Sequence, residues 1–251
     1  MPEWIPDVLG DEFDQLTLEL GEDDEGPLVA TLVRALPREQ PWWNRMRGHR
    51  LPLDDVDVLY VHGWSDYFFQ KRLARFWTAR GARFFALDLR KYGRSLRDGQ
   101  TPGYITDLGA YDEDIAAALH AMGRSPETTA STRRLVLLGH STGGLTLSLW
   151  ASRHPETADA VILNSPWLEF QVASARPLIA PVAELQARWA PREVAPQVDL
   201  GFYTRAQQEV ADPEDPVEVN LTWRPAQTMA VHAGWFHAIC LLYTSPSPRD
   251  S

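Results

Sequence analysis

A single cysteine, Cys240, in 251 residues leaves no internal disulfide framework, which fits a reducing, cytoplasmic setting. Lysine is nearly as scarce: Lys71 and Lys91 are the only two, so almost every basic residue is arginine. Positive charge is in the minority, with 24 Lys and Arg against 34 Asp and Glu and a formal net charge of −10. An acidic surface attracts neither nucleic acid nor an anionic membrane, so neither is expected as a partner. No apolar run approaches the roughly 20 residues of an integral membrane segment. Met1-Pro2-Glu3-Trp4 lacks the basic region and apolar stretch that open a signal peptide. There are no internal repeats. What is plentiful is apolar: 44% hydrophobic residues, with ten Trp and nine Phe, supply the core of one large α/β domain or of such a domain with a small lid.

The pattern along the chain opens with a hairpin. Gln15 to Leu20 and Leu28 to Leu36 alternate polar and apolar residues around a charged turn, Gly21 to Gly26. A Pro/Arg/Trp-rich loop covers Pro37 to Pro52. Then apolar runs alternate with helical patterns, the mark of a parallel sheet covered on both faces. Val56–Val61, Arg83–Leu87, Arg134–Leu138 and Ala158–Leu163 read as inner strands. Helices are expected over Phe68–Ala79, with Phe69, Leu73 and Phe76 on its apolar stripe, over Asp107–Met122, and from the residues after Ser141 to about Arg153. After Trp167 the rhythm breaks: Leu178, Val182, Leu185 and Trp189 mark a short amphipathic helix, followed by an irregular stretch and a last helix over about Ala226–Ile239.

The chemistry is concentrated at strand ends. Gly139-x-Ser141-x-Gly143 is a nucleophile-elbow pattern. Alone it is weak, since chance supplies it in roughly one chain in fifteen of this length. Here it follows four β-forming apolar residues and precedes a helix. A strand turning sharply into a helix leaves the serine strained and exposed, and Gly139 and Gly143 avoid collision with neighbouring backbone. The helix N-terminus favours a developing oxyanion, so the Thr142 N–H is one expected donor. His62-Gly63-Trp64 ends an earlier strand, and the Trp64 N–H is the expected second donor. His62 and His140 read as structural. Asp88-x-Arg90-x-x-Gly93-x-Ser95 reads as a turn-building segment, with a phosphate grip as the alternative.

Tyr60-Val61-His62-Gly63-Trp64, Asp88-Leu89-Arg90-Lys91-Tyr92-Gly93-Arg94-Ser95 and Gly139-His140-Ser141-Thr142-Gly143-Gly144, in this order and spacing, resemble the α/β hydrolases grouped with monoacylglycerol lipases, lysophospholipases and the serine aminopeptidase S33 clan. The resemblance covers roughly Gln15 to His237. It implies an α/β-hydrolase fold, cytoplasmic hydrolysis of acyl esters, and no metal or organic cofactor. The expected partner is a small-molecule acyl ester. The fold alone does not fix the substrate.

The order in this fold is Ser, then an acid, then His. No apolar strand after Trp167 ends in Asp, and no His lies near a strand terminus, so the triad acid and His are not found in this chain. Candidates exist: Glu169, Asp212 and Asp215 as acids, His232 and His237 as bases, with the two histidines pointing about 140° apart on one helix. Cys240 to Asp250 resembles the translation of a transposase sequencing adapter at every position in one frame. The division expected is therefore a hydrolase core over 1–167, a lid over 168–225, a helix returning to the core over 226–239, and a non-native tail over 240–251, with the C-terminal strands and helix of the fold missing. Trp167, Phe170 and Trp189, with Phe202, Tyr203 and Trp223, are candidates for an acyl pocket in the lid, or for ordinary lid packing. A non-catalytic binding protein on the same fold, or transfer of the acyl group to an acceptor other than water, are the alternative functions.

Overall fold

In the computed structural model, residues 3–39, 50–124, 132–168, 185–186, 188–194, 202–210, 218–225 and 228–242 are described. Alternation builds the antiparallel edge. β1 (Ile5–Pro6) pairs with β2 (Asp14–Asp23), and β2 with β3 (Gly26–Ala35). Leu16 and Leu18 point into the core while Thr17 and Glu19 face solvent. The charged turn is shorter than the composition implies. A bulge between Glu19 and Glu22, with Gly21 at φ 89°, keeps β2 paired to Asp23 and reduces the turn to Asp24 and Glu25.

The apolar runs become the parallel strands β4 (Val56–Val61), β5 (Arg83–Asp88), β6 (Arg134–His140) and β7 (Ala160–Asn164). Among the described residues the sheet has seven strands in the order β1-β2-β3-β5-β4-β6-β7. β3 runs antiparallel to β5, and β5, β4, β6 and β7 are mutually parallel. Period-two alternation splits the core into two layers. Val58, Tyr60, Phe84 and Ala86 pack on one face with Ala74 of helix α1 (Lys71–Thr78). Leu59, Val61, Phe85 and Leu87 pack on the other with α2 (Tyr111–Ala121) and α3 (Thr142–Arg153).

Helix α1 starts three residues later than its periodicity suggests. The Phe68 N–H donates to Asp88 Oδ1 at 2.8 Å, which holds Phe68 in the preceding loop. The buried stripe is accordingly Leu73, Ala74 and Trp77, and Phe76 is exposed. Asp57 is the one charged residue of β4 and is fully buried. Its carboxylate receives Arg83, Arg124 and Arg133 at 2.6–3.0 Å, which ties β4 to β5 and to the strand-entry loop before β6. Burial pushes its pKa up, but the hydrogen bonds from Arg83 and Arg133 and the charges of Arg83 and Arg124 outweigh it and hold the group below the ordinary carboxylate range.

Beyond Trp167, α4 (Phe202–Glu209) is a helix in a stretch whose sequence reads as irregular. The last helix, α5 (Ala233–Leu242), begins later than position 226. The Met229 N–H is taken by Ser65 Oγ, and His232 forms an antiparallel bridge with Val194, so the residues before Ala233 are extended. No described helix is long and apolar enough to cross a membrane.

Candidate active site

The elbow forms where β6 meets α3. Ser141 has φ 52° and ψ −120°, a conformation that costs a non-glycine residue of order 1–3 kcal/mol. Its surroundings enforce it. The Ser141 N–H donates to the Asn164 carbonyl at 3.1 Å, and its own carbonyl accepts from Gly144, Leu145 and Trp167. A Cβ at Gly139 would lie 2.6 Å from Gly144 Cα, and one at Gly143 would strike the carbonyl oxygens of Val61 and His62. Both glycines are therefore steric requirements of the turn.

The loop after β4 lies against the same turn. A Cβ at Gly63 would sit 3.0 Å from Ser141 Cβ, so the His62-Gly63-Trp64 backbone passes directly beside the serine. Among the described residues, the N–H groups of Trp64 and Thr142 have no protein acceptor. Two unengaged amides thus flank the serine, one from the loop and one from a helix N-terminus.

Neither nearby histidine is free to act as a base through both ring nitrogens. His62 Nδ1 lies 2.8 Å from the Gly63 carbonyl, and its Nε2 accepts the Leu89 N–H at 3.2 Å. Burial lowers its proton affinity below the usual histidine range, against the pull of Asp88. His140 Nδ1 lies 3.2 Å from the Asn164 carbonyl, and burial, then Arg224, lower its proton affinity. Asp88 accepts the Phe68 N–H on Oδ1, and on Oδ2 both the Arg94 N–H and its guanidinium. Arg90 is bound by Asp114 and Glu113. These contacts make Asp88 to Ser95 a structural hub.

Of the acyl-pocket candidates, Trp167 is at the site: its ring stacks parallel to Trp235 at 5.9 Å. Trp235 also meets Trp64 at 4.2 Å, and the chain's sequence spacing gave no sign of this three-tryptophan cluster. The space under it, between His62, Thr142, Leu145, Trp235 and Ile239, is only about 10 Å³, room for one water. Trp189 is elsewhere, 78% exposed. Trp223 packs edge-on against Tyr67. Phe170, Glu169, Asp212 and Asp215 lie outside the described residues, as do the side chains of Phe202 and Tyr203. His232 Nδ1 lies 2.7 Å from the Arg192 carbonyl and its ring packs on Tyr104. Among the described residues no group of three or more His, Cys, Asp or Glu is arranged to hold a metal.

The sequence profile of the serine aminopeptidase, S33, family matches residues 55–230, from β4 through the elbow and beyond it. The chain belongs to this family. A monoacylglycerol lipase of Mycolicibacterium smegmatis is 25% identical over 155 residues, 61% of this S33-family chain and 52% of the relative. A bifunctional esterase/perhydrolase of Acinetobacter calcoaceticus is 31% identical over 121 residues, 45% of this chain and 38% of the relative. The chain thus spans about half the length, or less, of these curated relatives. A thermostable carboxyl esterase from Bacillus coagulans, solved with glycerol, superposes with a TM-score of 0.58 at 14% identity, covering 94% of this chain and 73% of that one. A soluble variant of the Saccharomyces cerevisiae monoglyceride lipase, solved with a substrate analogue, gives 0.55 at 16% identity, covering 90% and 68%. The shared fold is the α/β-hydrolase fold.

Proposed function

We propose that the chain is the nucleophile-bearing part of a serine hydrolase acting on carboxylic acyl esters through an acyl-enzyme. Ser141 Oγ attacks the ester carbonyl while a general base takes its proton. The Trp64 and Thr142 N–H groups receive the charge that develops on the carbonyl oxygen. Collapse expels the alcohol, and water then attacks the acyl-enzyme. The observation that carries this reading is the strained Ser141 set between two unengaged amides. Monoacylglycerol lipase and esterase relatives support an ester substrate.

The mechanism also needs a histidine and an acid to orient it, and the two histidines next to Ser141, His62 and His140, each have Nδ1 beside a backbone carbonyl. We propose that the catalytic histidine and acid belong to native sequence that would continue after Ile239, and that residues 240–251 are a non-native tail. The chain of 251 residues is then expected to be nearly inactive, because a serine without its base keeps only the residual acceleration of the oxyanion donors. The test compares fluorophosphonate labelling of the 251-residue chain with that of a protein carrying the gene's uninterrupted continuation. Strong labelling only of the continued protein is expected. Equal, strong labelling of both would mean that the base lies within the 251 residues.

A further inference from the structure

The loop that carries Trp64 makes a second set of contacts, directed away from Ser141. Ser65 Oγ accepts the Met229 N–H at 2.9 Å, and Tyr67 Oη accepts the Asn220 N–H at 2.7 Å. Between them the Asp66 carboxylate faces the Arg224 guanidinium at 3.7 Å, with the side chains only 3% and 2% exposed. Arg224 in turn donates to Gln207 of α4. The Tyr67 ring meets Trp223 edge-on at 5.3 Å, and Arg94, itself fixed by Asp7 and Asp88, lies over that indole. Three consecutive residues thus hold Asn220, Trp223, Arg224 and Met229, all from the stretch 220–229.

The grip has a direction. Ser65 has φ 53°, a left-handed conformation that a serine keeps only where its surroundings impose it. Its hydroxyl contact to Met229 is one such restraint, and its buried neighbours Asp66 and Tyr67 supply the others. On the other side of Trp64, Gly63 is packed closely: a Cβ there would meet Ser141 Cβ at 3.0 Å and His140 Cδ2 at 3.3 Å. The peptide bearing the Trp64 N–H is therefore suspended between the elbow and segment 220–229, with one residue on either side.

We propose that Ser65, Asp66 and Tyr67 are positioning residues that couple docking of segment 220–229 to placement of the Trp64 N–H beside Ser141. This rests on the oxyanion role proposed above for that amide. A displacement of about 1 Å at a donor is enough to cost a large part of its effect on the reaction, so the grip makes turnover depend on a correctly seated segment.

The coupling is read without any need for turnover. Selective ¹⁵N-tryptophan labelling gives ten amide signals, with Trp64 assigned by Trp64→Phe, Trp223 reporting on the segment, and Trp150 of α3 as a control. Tyr67→Phe and Arg224→Gln are expected to shift the Trp223 and Trp64 signals together and to leave Trp150 in place. Tyr67→Phe removes one oxygen and decides the matter if Arg224→Gln unfolds. A Trp64 signal unmoved in Tyr67→Phe, whatever happens at Trp223, overturns the proposal. In a catalytically competent protein the same variants should lower kcat about tenfold or more while KM for a short ester stays within about twofold. Coupled shifts in the protein that carries the proposed continuation, with no esterase activity there, would refute the hydrolase reading and leave the coupling intact.

Discussion

Gly143 shows how little freedom the elbow allows a single residue. A methyl group there would occupy the space of two backbone carbonyls, and backbone cannot be repacked as a side chain can. Gly143→Ala is therefore expected to cost about 3 kcal/mol or more, measured by urea unfolding. Asp66 offers a contrast in charge. Burial pushes its carboxyl up to about 7, against the pull of Arg224 and a hydrogen bond from the Tyr67 backbone. Because its folded value lies above the unfolded 3.8, the native state holds the proton over the intervening range. Stability from this group is greatest in acid and declines as pH rises from about 4 to 7. Asp66→Asn should remove that decline, so that stability falls by about 2 kcal/mol less between pH 5 and pH 7 than in the parent protein. Parallel pH slopes in the two proteins would argue against a buried, proton-holding Asp66.

At the scale of elements, Asp57 links three segments through three arginines. Asp57→Ala leaves those guanidinium groups without their buried partner and should destabilise the fold by about 3–5 kcal/mol. Its folded pKa lies below the ordinary value, so its contribution is present above about pH 4 and is lost as pH falls further. The parent should lose stability across that acid range and Asp57→Ala should lose less. The strands β4, β5 and β6 were legible because a strand buried on both faces is written as a continuous apolar run. The elbow was legible because its glycines are steric necessities of one local turn. Helix α1 was overextended because a contact with Asp88, distant in sequence, captured Phe68 from it. The clustering of Trp64, Trp167 and Trp235 and the grip of Ser65 to Tyr67 on segment 220–229 arise only when separate stretches fold together. No local period records them.

For the whole molecule, the net charge of −10 opposes association in general, yet one edge of the sheet works against it. Among the described residues β7 pairs only with β6, and Val161, Ile162 and Leu163 are 41%, 42% and 38% exposed. An apolar strand with unpaired amides and carbonyls is a template for another chain. The 251-residue chain is expected to self-associate through it, and Ile162→Lys to raise the monomer fraction in size-exclusion chromatography with light scattering. A parent chain that is wholly monomeric would show that something else covers β7. That Ser141 is the nucleophile is tested most directly by locating a fluorophosphonate adduct by peptide mass spectrometry in a protein carrying the continuation proposed above. A single adduct on Ser141 is expected, lost in Ser141→Ala together with ester hydrolysis. An adduct on another residue, or labelling and turnover that survive Ser141→Ala, would contradict it.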